Sequence, residues 1–262
     1  MSGRNWDDLK PRVLSAIVMA IVGAFAVWAG GLWFIALIAI SSGLMMWELT
    51  RMVAPVQNPE AIQLGLVAGL AVILSSLLPA GLTAPILLAP VLVGFGMVKT
   101  NRGLFTPYAL LILLAGFGFI YLRQDLGLLW MLWLLLVVIA SDIGGYVAGR
   151  LLGGPKFWPA ISPKKTWSGT VAGWLGAALI GFYFSQTYDL WSGLPWVSVL
   201  VAFAAQMGDI AESAIKRKTG IKDSSNLIPG HGGFMDRFDG MLGASLVVVL
   251  LVALTDFPFG AM

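Results

Sequence analysis

Gly208–Asp239 reads GDIAESAIKRKTGIKDSSNLIPGHGGFMDRFD and is the longest part of the chain without an apolar core of bilayer length. It concentrates Asp209, Glu212, Lys216, Arg217, Lys218, Lys222, Asp223, Asp236, Arg237 and Asp239, together with His231, the only histidine. The surrounding chain is its opposite. Of 262 residues, 58% are hydrophobic and 11% charged, with a mean hydropathy of +0.88. Soluble domains carry roughly 25% charged residues, so this balance points to a lipid bilayer and to an integral membrane protein. There is no cysteine, which excludes disulfides, thiolate metal sites and cysteine nucleophiles. No nucleic-acid partner is expected.

Working outward, a transmembrane helix needs about 20 mostly apolar residues. Candidate spans are 13–29, 32–47, 63–79, 82–98, 106–122, 126–148, 168–187, 194–213 and 240–258. The expected fold is therefore an all-α polytopic membrane protein with about nine transmembrane helices. Met1–Arg12 leads into the first apolar run without a small-residue cleavage site, so that run reads as a retained span and not a signal peptide. Pro85 and Pro90 predict an irregular fourth span, which a bilayer tolerates where neighbours satisfy the freed backbone groups.

Lys and Arg accumulate on the cytoplasmic side of membrane proteins. With nine spans and a cytoplasmic N-terminus, the inside segments hold every basic residue from Arg4 to Arg237 except Arg123, that is 15 of 16. This places the charged stretch and two sizeable loops, 149–167 and 214–239, in the cytoplasm. Two regions are expected within one membrane domain. Residues 1–122 embed the protein, and 123–262 form the catalytic region. Trp130, Trp133, Trp191 and Trp196 are expected in an interfacial aromatic belt.

Asp209 and Glu212 lie near the end of the eighth span, on one helical face with Ser213 and Lys216. Acids at membrane depth cost about 2.5–3.5 kcal/mol on insertion scales and usually face a polar cavity or partner. A snorkelling helix end with an internal Glu212–Lys216 pair would account for them, but so would an oxygen-rich metal or proton site. Asp142 repeats the pattern at the end of the sixth span, so one shared site is expected. Ser162, Lys164, Lys165 and Thr166 precede the seventh span. Lysines and hydroxyls beside a helix N-terminus favour phosphate through charge, amide donors and the helix dipole. Gly232 and Gly233 follow His231 and permit a close backbone approach. Carboxylates without cysteine suit a hard cation such as Mg²⁺ better than zinc. Acids for a cation, Lys and Arg for phosphates and glycines for close approach are the parts that phosphoryl or nucleotidyl transfer needs. A transporter relaying ions would instead bury acids deep in several spans.

Ser213, Ile215, Lys216-Arg217, Lys222-Asp223, His231-Gly232-Gly233 and Asp236-Arg237-Phe238-Asp239 stand at the spacing of a family signature. Over these residues the chain resembles the phosphatidate cytidylyltransferase (CDP-diacylglycerol synthase) family. Ser141-Asp142 with Gly144, and Ser162-Pro163-Lys164-Lys165-Thr166 with Gly169, extend the resemblance through the C-terminal half. The first 120 residues match only as hydrophobic spans. The resemblance implies CTP and phosphatidic acid as substrates, CDP-diacylglycerol and pyrophosphate as products, and Mg²⁺ as cofactor, with room for a second metal ion. It implies a homodimer in the bacterial cytoplasmic (inner) membrane, with the active site facing the cytoplasm. It assigns the metal to Asp209 and Asp236. Phosphate handling falls to Lys164, Lys165, Lys216 and Arg217, and His231 becomes a phosphate contact or loop-shaping residue. Asp142, Ser162, Thr166, Ser213, Lys222, Asp223, Gly232, Gly233, Arg237 and Asp239 complete the expected substrate site.

Overall fold

A computed structural model of the protein describes residues 9–54, 58–255 and 257–258. Met1–Asp8, with Arg4 of the basic tally, and the side chain of Lys10 lie outside the described residues, as do 55–57, 256 and 259–262. The described chain runs α1 (Leu9–Ala29), α2 (Gly31–Val53), α3 (Asn58–Leu77), α4 (Thr83–Met97), α5 (Arg102–Gln124) and α6 (Leu128–Leu151). A two-stranded antiparallel hairpin follows, β1 (Lys156–Trp158) and β2 (Ser162–Thr166), then α7 (Trp167–Thr187), α8 (Leu194–Thr219) and α9 (Met235–Leu254). The chain is an all-α polytopic membrane protein. Among the described residues, eight helical stretches have the length and apolarity to cross a bilayer. The ninth helix, α7, is long enough, but its glycines, tryptophans and hydroxyls keep it out of that set.

The breaks have local causes. Gly30 takes a φ of 64°, and a Cβ there would come 2.6 Å from the Arg123 guanidinium. Arg123 donates to the carbonyls of Val27 at 2.5 Å and Trp28 at 3.0 Å, satisfying groups that the end of α1 leaves open. The one basic residue expected on the far side of the membrane is thus a helix cap. Pro90 lies inside α4, the shortest of the nine α-helices among the described residues, which a single 3₁₀ turn (Ala80–Leu82) precedes.

Inside a bilayer, lipid tails compete with apolar side chains, so helices associate largely through close packing of small residues. Here Gly43 and Gly65 join α2 to α3; a Cβ on Gly65 would lie 2.7 Å from the Gly43 carbonyl oxygen. Gly145 and Gly169 do the same for α6 and α7, and Gly208 and Gly243 for α8 and α9. These last two contacts bring the site together.

Three expectations are revised. The helices outrun their apolar cores: α8 continues to Thr219, so Lys216, Arg217 and Lys218 are helical and the second loop shrinks to 220–234. The first loop contains the β hairpin, whose Lys-rich second strand has no apolar periodicity to announce it. Trp130 and Trp133 are not belt residues. Both are buried, and Trp133 donates to Ser198 Oγ at 2.9 Å where α6 meets α8.

Candidate active site

Asp236 occupies the first turn of α9, where the helix dipole favours a carboxylate. Its Oδ2 accepts from the Ser224 amide at 2.9 Å, the Ser224 hydroxyl at 3.0 Å and the Gly233 amide at 2.8 Å. Its Oδ1 accepts from Lys216 Nζ at 2.7 Å. Gly230 and Gly232, with φ of 74° and 87°, turn the chain so that the Gly233 amide points back at the carboxylate. A Cβ on Gly232 would lie 2.9 Å from Asp236 Oδ2, and one on Gly233 would meet Ser224 Oγ and come 2.6 Å from Glu48 Oε1. The glycines do permit close approach, and what approaches is the protein's own carboxylates.

A second centre forms where β2 meets α8. Lys165 Nζ lies 2.6 Å from Asp209 Oδ2 and donates to the Gln206 carbonyl at 3.1 Å. Thr166 caps α7, accepting from the Gly169 amide at 3.2 Å, and so sets the strand that carries Lys164 and Lys165. These residues line a cleft of about 440 Å³ with Asp142, Tyr146, Arg150 and Asp209. Gln206 forms its inner wall, held by Trp174 Nε1 at 3.1 Å.

Glu212 links the two centres along one face of α8. It is fully buried, and Lys216 Nζ lies 3.1 Å from its Oε2 as an ion-pair partner. Asp239 is a close neighbour of both Asp209 and Glu212, and the buried Tyr108 hydroxyl of α5 lies among the same acids with no hydrogen-bond partner among the described residues. Asp142, Asp209, Glu212, Asp236 and Asp239 therefore gather at one end of the bundle, with Lys164, Lys165 and Lys216.

Other predicted residues sit at the margin. His231 Nδ1 is 2.8 Å from Ser15 Oγ on α1, and Arg237 donates to the His231 carbonyl at 2.7 Å, so both shape the loop. Ser162 is in β2 opposite Trp158, Ser213 is half-buried on α8, and Arg217, Lys222 and Asp223 are exposed. Among the described residues no three acidic or histidine side chains converge as a ready-made metal cage. The donor set of Asp142, Asp209, Glu212, Asp236 and Asp239 is nonetheless all oxygen, so the residues fit a hard cation in kind. Asp209 and Asp236 are each engaged by a lysine.

Sequence reasoning missed Glu48, Ser15, Tyr108, Ser224 and Gln206. Only Glu48 carried a signal, as a carboxylate at the end of an apolar run. The others are ordinary in sequence and gain their roles from neighbours far along the chain.

A bundle of apolar helices that gathers acids, lysines and a cleft at one end defines a polytopic membrane enzyme suited to phosphate-bearing substrates. Residues 10–255 match the model of the cytidylyltransferase family. Several proteins named phosphatidate cytidylyltransferase are similar over nearly their whole length. That of Brucella suis biovar 1 is 35% identical, covering 96% of this chain and 96% of its own. That of Bacillus subtilis strain 168 is 32% identical, covering 94% and 98%. The chain belongs to the cytidylyltransferase family and is a nucleotidyltransferase.

Proposed function

We propose that this protein transfers CMP from CTP to phosphatidic acid, giving CDP-diacylglycerol and pyrophosphate in phospholipid biosynthesis. The relatives' shared name supports the substrate pair. The observation that carries the reading is the pairing of Lys165 on β2 with Asp209 on α8, and of Lys216 on α8 with Asp236 on α9, in one row. That row can take up polyphosphate charge on its lysines and cation charge on its carboxylates.

CTP enters the cleft lined by Lys164, Lys165 and Arg150. The lipid phosphate oxygen attacks the α-phosphorus in line; a new P–O bond forms and the bond to the β-phosphate oxygen breaks. Lys165 and Lys216 neutralise the charge that builds on the departing pyrophosphate. A phosphate's second pKa is about 6, so the nucleophile is already largely anionic at neutral pH and needs no strong general base. Asp209 and Asp236 would hold Mg²⁺, which when bound supplies charge neutralisation at the phosphates. The protein acts as a homodimer in the bacterial inner membrane, with residues 123–262 as its catalytic region facing the cytoplasm.

A mixed-micelle assay with labelled CTP, phosphatidic acid and Mg²⁺ tests this. Labelled CDP-diacylglycerol is expected, and its loss in Asp236→Asn. No product from folded wild-type protein would overturn the reading.

A further inference from the structure

Glu48 stands at the end of α2, in the N-terminal half of the chain. It is completely buried. Among the described residues its carboxylate pairs with no cation; it meets the start of α9. Oε1 accepts from the Phe234 amide at 2.7 Å and the Ser225 hydroxyl at 2.5 Å, and Oε2 accepts from the Met235 amide at 2.7 Å. Phe234 precedes α9 and has no side-chain cap of its own, so the first amides of this helix are satisfied by a residue nearly 190 positions earlier. A carboxylate at a helix N-terminus also interacts favourably with the dipole.

These three donors bracket the turn that carries Asp236. Ser225 follows Ser224, and Phe234 follows Gly233; Ser224 and Gly233 are the residues whose groups bind Asp236 Oδ2. Glu48 and Asp236 thus grip the same two segments one residue apart, Glu48 from α2 and Asp236 from within. The space is closed, since a Cβ on Gly233 would come 2.6 Å from Glu48 Oε1.

We infer that Glu48 is a positioning residue of the active site, locking the first turn of α9 and thereby the direction in which Asp236 faces the reacting phosphates. The inference rests on the proposed role of Asp236. It gives the N-terminal helices a catalytic consequence: α2 sets the geometry of a site whose reacting groups all lie beyond residue 140.

Glu48→Gln keeps the shape but replaces one acceptor by an NH₂ group facing an N–H donor. The expected result is a fall in kcat of roughly 10- to 100-fold, since ångström-scale misplacement of catalytic groups costs about that much. The KM values for CTP and phosphatidic acid should change less than about threefold, because the basic cleft that binds them is not touched. Met46→Ala, a buried change on the same helix, is the control for lost packing and should leave kcat near wild type in the folded protein. Ser225→Ala removes one donor and should give a smaller kcat loss than Glu48→Gln. Hydrogen exchange supplies a readout independent of activity: protection of the 233–236 amides should fall in Glu48→Gln and not in Met46→Ala. Asp236→Asn, assayed in parallel, separates the failures. If Asp236→Asn is inactive while Glu48→Gln keeps wild-type kcat and exchange protection, the inference alone is wrong. If Asp236→Asn is fully active, the role of Asp236 falls and the inference with it.

Discussion

Lys216 Nζ lies 2.7 Å from Asp236 Oδ1, across the contact between α8 and α9. The sequence reading gave these residues opposite tasks, a cation for phosphate and a carboxylate for metal, and the fold binds them to each other. Lys165 and Asp209 repeat the arrangement at 2.6 Å. Each pair places both signs of charge side by side while neither charge is left uncompensated in a low-dielectric setting.

Lys216→Ala leaves Glu212 and Asp236 without their shared cation, and these carboxylates are almost wholly buried. Breaking a buried pair by removing one partner costs about 3–5 kcal/mol. Thermal unfolding in detergent should drop accordingly, with activity lost. Arg217→Ala, one residue on and exposed, should leave the unfolding midpoint unchanged.

Lys165→Met and Asp209→Asn should be coupled. In a double-mutant cycle on kcat/KM, the combined variant should be less impaired than the sum of the single ones, with an interaction energy of about 0.5–3 kcal/mol. Strict additivity would mean that the 2.6 Å contact has no part in the rate.

A Cβ on Gly208 would run into the Asp239 carbonyl oxygen, and one on Gly243 into that of Ala204. Gly208→Ala should force α8 and α9 apart, lowering stability by about 1–3 kcal/mol as overpacking does, and lowering activity with it. Gly23→Ala, where a Cβ meets nothing within 4 Å, should be silent in both measurements.

Trp133→Phe removes the donor to Ser198 Oγ in the buried α6–α8 contact. A loss of about 1–3 kcal/mol in stability is expected from the unmet acceptor and lost packing. kcat measured below the unfolding range should not change, because this contact lies apart from the acidic row.

The membrane class, the order of the helices and the clustering of the acidic and basic residues were legible from sequence. Each rests on composition or on spacing within one segment. Bilayer thickness demands long apolar runs, so the spans show themselves. The 3.6-residue period puts Asp209, Glu212 and Lys216 on one face whatever surrounds them. The extents of α8 and of the hairpin were less legible, because a polar helix end and a Lys-rich strand carry no apolar periodicity. Tertiary structure alone decided the partners. Lys216 bonds Asp236 and not only its helical neighbour Glu212, and Lys165 reaches Asp209 across 44 positions. Glu48 caps a helix that begins 187 residues later, and Ser15 holds the ring of His231. These contacts depend on which helices lie side by side, and that is set by small residues such as Gly208 and Gly243 letting backbones touch. An uncompensated carboxylate cannot remain buried at this depth, so the fold must supply its partners from wherever in the chain they come.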